Sequence, residues 1–214
     1  MFLYQPRFQF ELYCHELFPL LAESICPADS VQEVSQPVPL LTLEERALAD
    51  FVGRKAERRS DTAPRIDGFV GRDVELNSLR MADAAVLAIT GFGGQGKSTL
   101  AAKFMDEFGE NVLKDWRDCR EEGNTAQTAI ALFLELMSAG RISFEEVIKC
   151  DHKTLIDLVI EYSNVKPAIL VLDNIDTYVD MDLERPTGII GDLCDRLLEV
   201  KTQITLILTC RPRL

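Results

Sequence analysis

The sequence predicts an α/β protein, a three-layer arrangement around a mostly parallel sheet with a short N-terminal appendage. Short, continuous apolar runs of the kind covered on both faces of a sheet occur at 84–90 (AAVLAIT), 168–173 (AILVLD) and 203–209 (QITLILT). Between them lie segments with the apolar spacing of amphipathic helices. Strands that alternate with helices pair in parallel through right-handed crossovers, which is what makes the sheet parallel and the layers three. A length of 214 residues, 47% of them hydrophobic, suffices for one ordinary domain with an appendage.

Along the chain, Phe8, Phe10 and Leu12 alternate with Gln9, Glu11 and Tyr13 at strand period, in isolation. Residues 27–39 (PADSVQEVSQPVP) carry three prolines and read as a linker, so 1–40 form an N-terminal segment. Thr42 opens a capping box with Glu45, and a helix should follow with Leu43, Ala47, Leu48, Phe51 and Val52 on one face. The charged run at 54–61 completes a connector over 41–66, and the main domain is expected to span 67–214. Within it, 84–90 is a buried strand. Leu100, Phe104 and Phe108 share a helix face, with Gly109 as the expected stop. A second strand lies in NVLKDWRDC (111–119), and helical patterns fill much of 125–163. Ile190, Leu193, Cys194, Leu197 and Leu198 form a helix stripe between the last two apolar strands.

Charge and composition exclude several classes of function. Lys+Arg number 23 against 35 Asp+Glu, a net charge of -12, so the overall field repels nucleic acid and anionic membranes. Any bound anion must be captured by local geometry. The six cysteines form no C-x-x-C pair, and the histidines are His15 and His152 alone, a pattern that suits a reduced cytosol better than a zinc site or a disulfide framework. Arg7, Glu11 and Glu16 interrupt the apolar start before a signal-type run develops, and nowhere do 18 apolar residues run together. A cytoplasmic protein without a membrane span is expected.

The most informative stretch is TGFGGQGKSTL. Gly91, Gly96, Lys97 and Ser98 satisfy G-x-x-x-x-G-K-[ST], with Phe92, Gly93, Gly94 and Gln95 inside the loop. Glycines let the backbone curl so that successive N–H groups face one anion, and the helix starting near Lys97 adds its positive end. Lys97 should reach the β- and γ-phosphates of a nucleotide, Ser98 should ligate the bridging Mg²⁺, and Thr99 should assist at the α-phosphate. The position between a buried strand and an amphipathic helix is the setting this motif requires. Asp173 closes the apolar run AILVLD at a strand tip, where open parallel sheets place ligands, and there it can hold Mg²⁺ opposite Ser98 in the manner of a Walker B acid. Asp176 either orients an attacking water or caps the following segment.

Taken together, GFVGRDVEL (68–76), GFGGQGKSTLA, LVLDNID and LILTCR resemble, in order and setting, the STAND class of P-loop ATPases, the NB-ARC and NACHT relatives that act as signalling switches. The resemblance covers about residues 67–214, with DWRDCRE (115–121) in the place of that group's second strand. It implies a three-layer P-loop fold with sheet order 5-1-4-3-2. It also implies that Phe69, Val70, Gly71 and Arg72 wrap the adenine and ribose, and that Arg211 is a sensor approaching the terminal phosphate. Two departures stand out. Asn174 replaces the acid that many such ATPases carry as catalytic base, which predicts slow hydrolysis, and Leu214 precedes the fifth strand and further domains that the family leads one to expect.

These features predict an ATP/ADP-binding regulatory switch with slow Mg²⁺-dependent hydrolysis. A nucleotide-binding interaction module that hydrolyses nothing is the alternative favoured by Asn174. An AAA+ initiator-like ATPase is disfavoured by the acidic charge. An apolar edge at 84–90, without its fifth-strand neighbour, further predicts a protein partner or self-association.

Overall fold

The structure, a computed structural model, describes residues 63–120 and 125–211. The expected strand at 8–12, the proline-containing linker and the helix after Thr42 lie outside the described residues.

Four strands form one sheet: β1 (Val86–Thr90), β2 (Leu113–Asp118), β3 (Ala168–Asp173) and β6 (Ile204–Cys210). Their spatial order is β1-β6-β3-β2, and every pairing is parallel. For these four strands the order follows the 1-4-3-2 that the resemblance implies. Every residue of β1 and β3 is buried, the signature of strands covered on both faces.

Side-chain alternation along the strands separates two cores. On one face, Leu87, Ile89, Ile169, Val171 and Trp116 pack with α1 (Asp73–Met81) and α2 (Lys97–Asp106). On the other, Val86, Ala88, Leu170, Leu172 and Leu206 pack with α3 (Ala126–Met137), α4 (Phe144–Val147), α5 (His152–Tyr162) and α6 (Gly188–Glu199). The result is three layers, helices on both faces of a parallel sheet. Packing on the first face extends upstream to Ala63 and Ile66, which lie against the α1–α2 core.

Local chemistry sets the element boundaries. Thr125 caps α3 by accepting from the Thr128 amide, Asp151 caps α5 through the Thr154 amide, and Ser143 with Glu146 forms a capping box on α4. The stop of α2 differs from expectation. The helix ends at Asp106, and the Glu107 amide turns back to Phe104 and Met105 carbonyls, so Gly109 lies beyond the end rather than at it. Phe108 still folds back on the same face, its ring edge-on to Phe104 at 5.2 Å between centroids. Between β3 and α6 lies a segment that apolar periodicity did not reveal: a 3₁₀ turn at Asp176–Tyr178 and a two-stranded antiparallel ribbon of β4 (Val179–Asp180) and β5 (Arg185–Pro186). Strands this short are too brief to leave a periodic signal.

No helix among the described residues is long and apolar enough to cross a membrane.

Candidate functional site

The C-terminal ends of β1, β2, β3 and β6 converge on one edge of the sheet, where parallel α/β proteins place their ligands. The loop from Gly91 to Gly96 leaves β1 there and enters α2. Its turn depends on Gly94 (φ 77°) and Gly96 (φ 72°), left-handed conformations that a residue with a Cβ adopts only with strain. Gly96 is the N-cap of α2 and provides no side-chain acceptor. The first amides of α2 follow directly on this loop, and at a helix start backbone donors have no intrahelical acceptor. A run of such donors at a helix start is a surface that can take an anion.

Lys97 is the first residue of α2 and only 9% exposed. Its ammonium folds back over the loop and donates to the carbonyls of Gly91 (2.9 Å) and Phe92 (3.1 Å). Burial lowers its pKa below the ordinary lysine range, while the negative charge of Asp176 acts in the opposite direction.

Next to it, Ser98 donates to Asp173 Oδ1 at 2.8 Å. Asp173 sits at the tip of β3, 4% exposed, and its Oδ1 also accepts from the hydroxyl of Thr209 on β6. Burial raises the Asp173 pKa above the ordinary aspartate range. The hydrogen bonds from Thr209 and Ser98 oppose this, and Asp118 adds to the rise. A serine hydroxyl and a carboxylate in contact are hard oxygen donors of the kind that bind Mg²⁺ with retained waters.

Asn174 follows in a left-handed conformation (φ 61°), its amide donating to Thr209 Oγ1 at 3.0 Å. Its carboxamide nitrogen contacts both Asp173 Oδ2 (2.9 Å) and Asp118 Oδ1 (3.0 Å). Asp118 ends β2 directly opposite Asp173 in the parallel register. Although burial pushes the Asp118 pKa up, hydrogen bonds from the Arg120 side chain and amide and from Asn174 outweigh it and leave the carboxyl below the ordinary range. Asp176 Oδ1 accepts from the Arg211 amide at 2.6 Å, and the Arg211 guanidinium lies 4.0 Å from its other oxygen. Arg120, Asn174, Asp176, Thr177, Cys119 and Arg211 line an open cleft beside this cluster.

Of the residues expected at the site, Gly91–Thr99, Asp173, Asp176 and Arg211 come together at this edge. In the 69–72 stretch, Arg72 reaches the loop, donating to the Gly96 carbonyl at 3.4 Å, whereas Phe69 packs into the α1–α2 core. Val70 is 89% exposed. Sequence reasoning missed Asp118, Arg120 and Thr209. Their signal is topological: each ends or follows a strand that neighbours β3, and parallel neighbours bring their C-terminal tips together.

No known protein-family model matches the chain, and no curated protein matches it. Among solved structures, a chain of the E. coli MS115-1 HORMA:CdnC:Trip13 complex is similar, with a TM-score of 0.35 and 18% identity. The match covers 82% of the present chain and 57% of that one. A likeness this slight assigns neither fold nor function.

Proposed function

We propose that this chain is a P-loop nucleotide-binding domain of the STAND type, a switch that binds ATP or ADP with Mg²⁺ and hydrolyses ATP slowly. The observation that carries the proposal is the pairing of two half-sites on one sheet edge: a glycine loop that opens the first turn of α2 over a buried Lys97, and a Ser98–Asp173 contact beside it. The first fits phosphate oxygens. The second fits a hard divalent cation. Bound Mg²⁺ neutralises phosphate charge, which is the chemistry the ion adds.

The chain's own groups then have distinct roles. Lys97 exchanges the Gly91 and Phe92 carbonyls for phosphate oxygens, so a nucleotide supplies a negative partner in direct contact where the ammonium otherwise touches neutral carbonyls. Ser98 and Asp173 would hold the cation. Arg211, anchored by Asp176, extends a guanidinium toward the cleft, where it can sense a terminal phosphate.

Replacing Asp173 by Asn tests the assignment. Mg²⁺-dependent ATP affinity should fall by about tenfold to a hundredfold, the loss of one charge-assisted contact, while ADP affinity without Mg²⁺ changes much less. Equal losses with and without metal would make Asp173 a structural acid. A second reading, nucleotide binding without hydrolysis, is favoured by one observation: residue 174 is an amide committed to two carboxylates. Single-turnover measurements with excess protein separate the two, since a slow ATPase releases phosphate and a binding module returns ATP intact.

A further inference from the structure

We propose that Asn174 is a positioning residue whose carboxamide bridges the carboxylates of Asp173 and Asp118 and so draws the tip of β2 into the metal-binding face of the site. This rests on the nucleotide-binding reading above and adds to it a role for a residue that otherwise looks like a lost catalytic acid.

Asp118 and Asp173 are register partners on adjacent parallel strands, which lie about 4.8 Å apart. Two carboxylates so placed repel. Between them, the Asn174 nitrogen stands 2.9 Å from Asp173 Oδ2 and 3.0 Å from Asp118 Oδ1. The amide carries two hydrogens, enough for one to each acid. Its orientation is fixed by chemistry, because ionised carboxylates only accept and the amide oxygen could not face them. The backbone suits this bridge. Asn is among the few non-glycine residues that tolerate the left-handed conformation at φ 61°, and the Asn174 amide is pinned to Thr209 Oγ1. Thr209 in turn donates to Asp173 Oδ1, leaving Asp173 oriented by Ser98, Thr209 and Asn174 together. On its far side Asp118 is held by Arg120, with guanidinium and carboxylate 3.2 Å apart.

An acid at position 174 would replace two donors by two acceptors and set a third negative charge among the other two. Position 174 therefore has a role in this chain that only an amide performs. Restoring the acid of related ATPases should damage the site rather than activate it.

The test uses the full 214-residue chain in five forms: wild type, Asn174→Asp, Asn174→Gly, Asp118→Asn and the double variant Asp118→Asn/Asn174→Asp. Calorimetric titrations follow ATP with Mg²⁺ and ADP without it, and thermal melting is recorded without ligand. Glycine suits the left-handed backbone, so Asn174→Gly removes the bridge without straining the turn. Asn174→Asp should weaken Mg²⁺-dependent ATP binding about ten- to a hundredfold, Asn174→Gly by less, and both should shift metal-free ADP affinity by under about threefold. The double variant again pairs one amide with one acid across positions 118 and 174 while an acid still faces Asp173, so it should regain part but not all of the loss. Unchanged Mg²⁺-dependent affinity in Asn174→Asp and Asn174→Gly, equal losses with and without metal, or a double variant no better than Asn174→Asp would each overturn the proposal. If the wild type binds no ATP, the nucleotide reading falls and the positioning role falls with it. Non-additive melting temperatures for positions 118 and 174 would then show the bridge surviving as a purely structural contact.

Discussion

In the proposed reading, Lys97 sets stability against binding within a single side chain. The residue is 9% exposed, its ammonium has two carbonyl acceptors, and burial lowers its pKa, so the folded chain holds that proton less tightly than the unfolded chain does. With a folded value below the unfolded value of about 10.4, stability gains as pH rises through the interval between them, and below it the buried charge is a standing cost. Lys97→Met removes that cost. Its unliganded melting temperature should be no lower than that of the wild type, yet the same ATP concentration should raise it much less. For the wild type, ATP at about a hundred times Kd should add about 2.7 kcal/mol, or about 5–10 °C for a domain of this size. A Lys97→Met chain that melts well below wild type, or that gains as much as wild type on adding ATP, would show that the lysine serves packing instead.

Among the secondary-structure elements, α6 and the β4–β5 ribbon meet through a position without a side chain. A Cβ added at Gly191 would lie 2.6 Å from the Pro186 carbonyl oxygen, a backbone atom that cannot turn aside. Two effects oppose each other in Gly191→Ala. Alanine gains up to about 1 kcal/mol of helix propensity, and overpacking costs about 1–3 kcal/mol. Because the contact is with backbone, the cost should prevail, with a net loss of about 1 kcal/mol in denaturant unfolding. A variant as stable as wild type would mean that the ribbon moves freely. The ribbon itself was illegible in the sequence, since strands of two residues carry no period. The long strands and helices were legible because buried apolar runs and 3.6-residue stripes are imposed by the layers that cover them. The end of α2 was misjudged because Gly109 looks like a cap, while Glu107 already closes the helix by turning back on Phe104 and Met105. In the site, Gly91–Ser98 and Asp173 were readable from local spacing. Asp118, Thr209 and the bridging amide of Asn174 were not, because their meaning depends on which strands are neighbours, and that is set by tertiary pairing.

In the molecule as a whole, the sheet leaves β1 at one end, paired among the described residues with β6 alone. Its five residues are all buried by the layers above and below, and Val86–Ile89 are apolar throughout. Edges of this kind recruit further strands. The 214-residue chain is therefore expected to self-associate in light scattering. A shortened chain lacking residues 1–40 should do so at lower concentration if the alternating Phe8, Phe10 and Leu12 segment covers that edge. A monodisperse monomer in both forms would contradict the open edge.

That the Gly91–Ser98 loop cradles a nucleotide's phosphates is best checked by calorimetric titration of the full chain with ATP and Mg²⁺, alongside Lys97→Ala of matched circular dichroism. Saturable one-site binding by the wild type, weakened by about tenfold to a hundredfold or more in the variant, is the expected outcome. Equal affinities for the two proteins, or no heat of binding with either, would refute it.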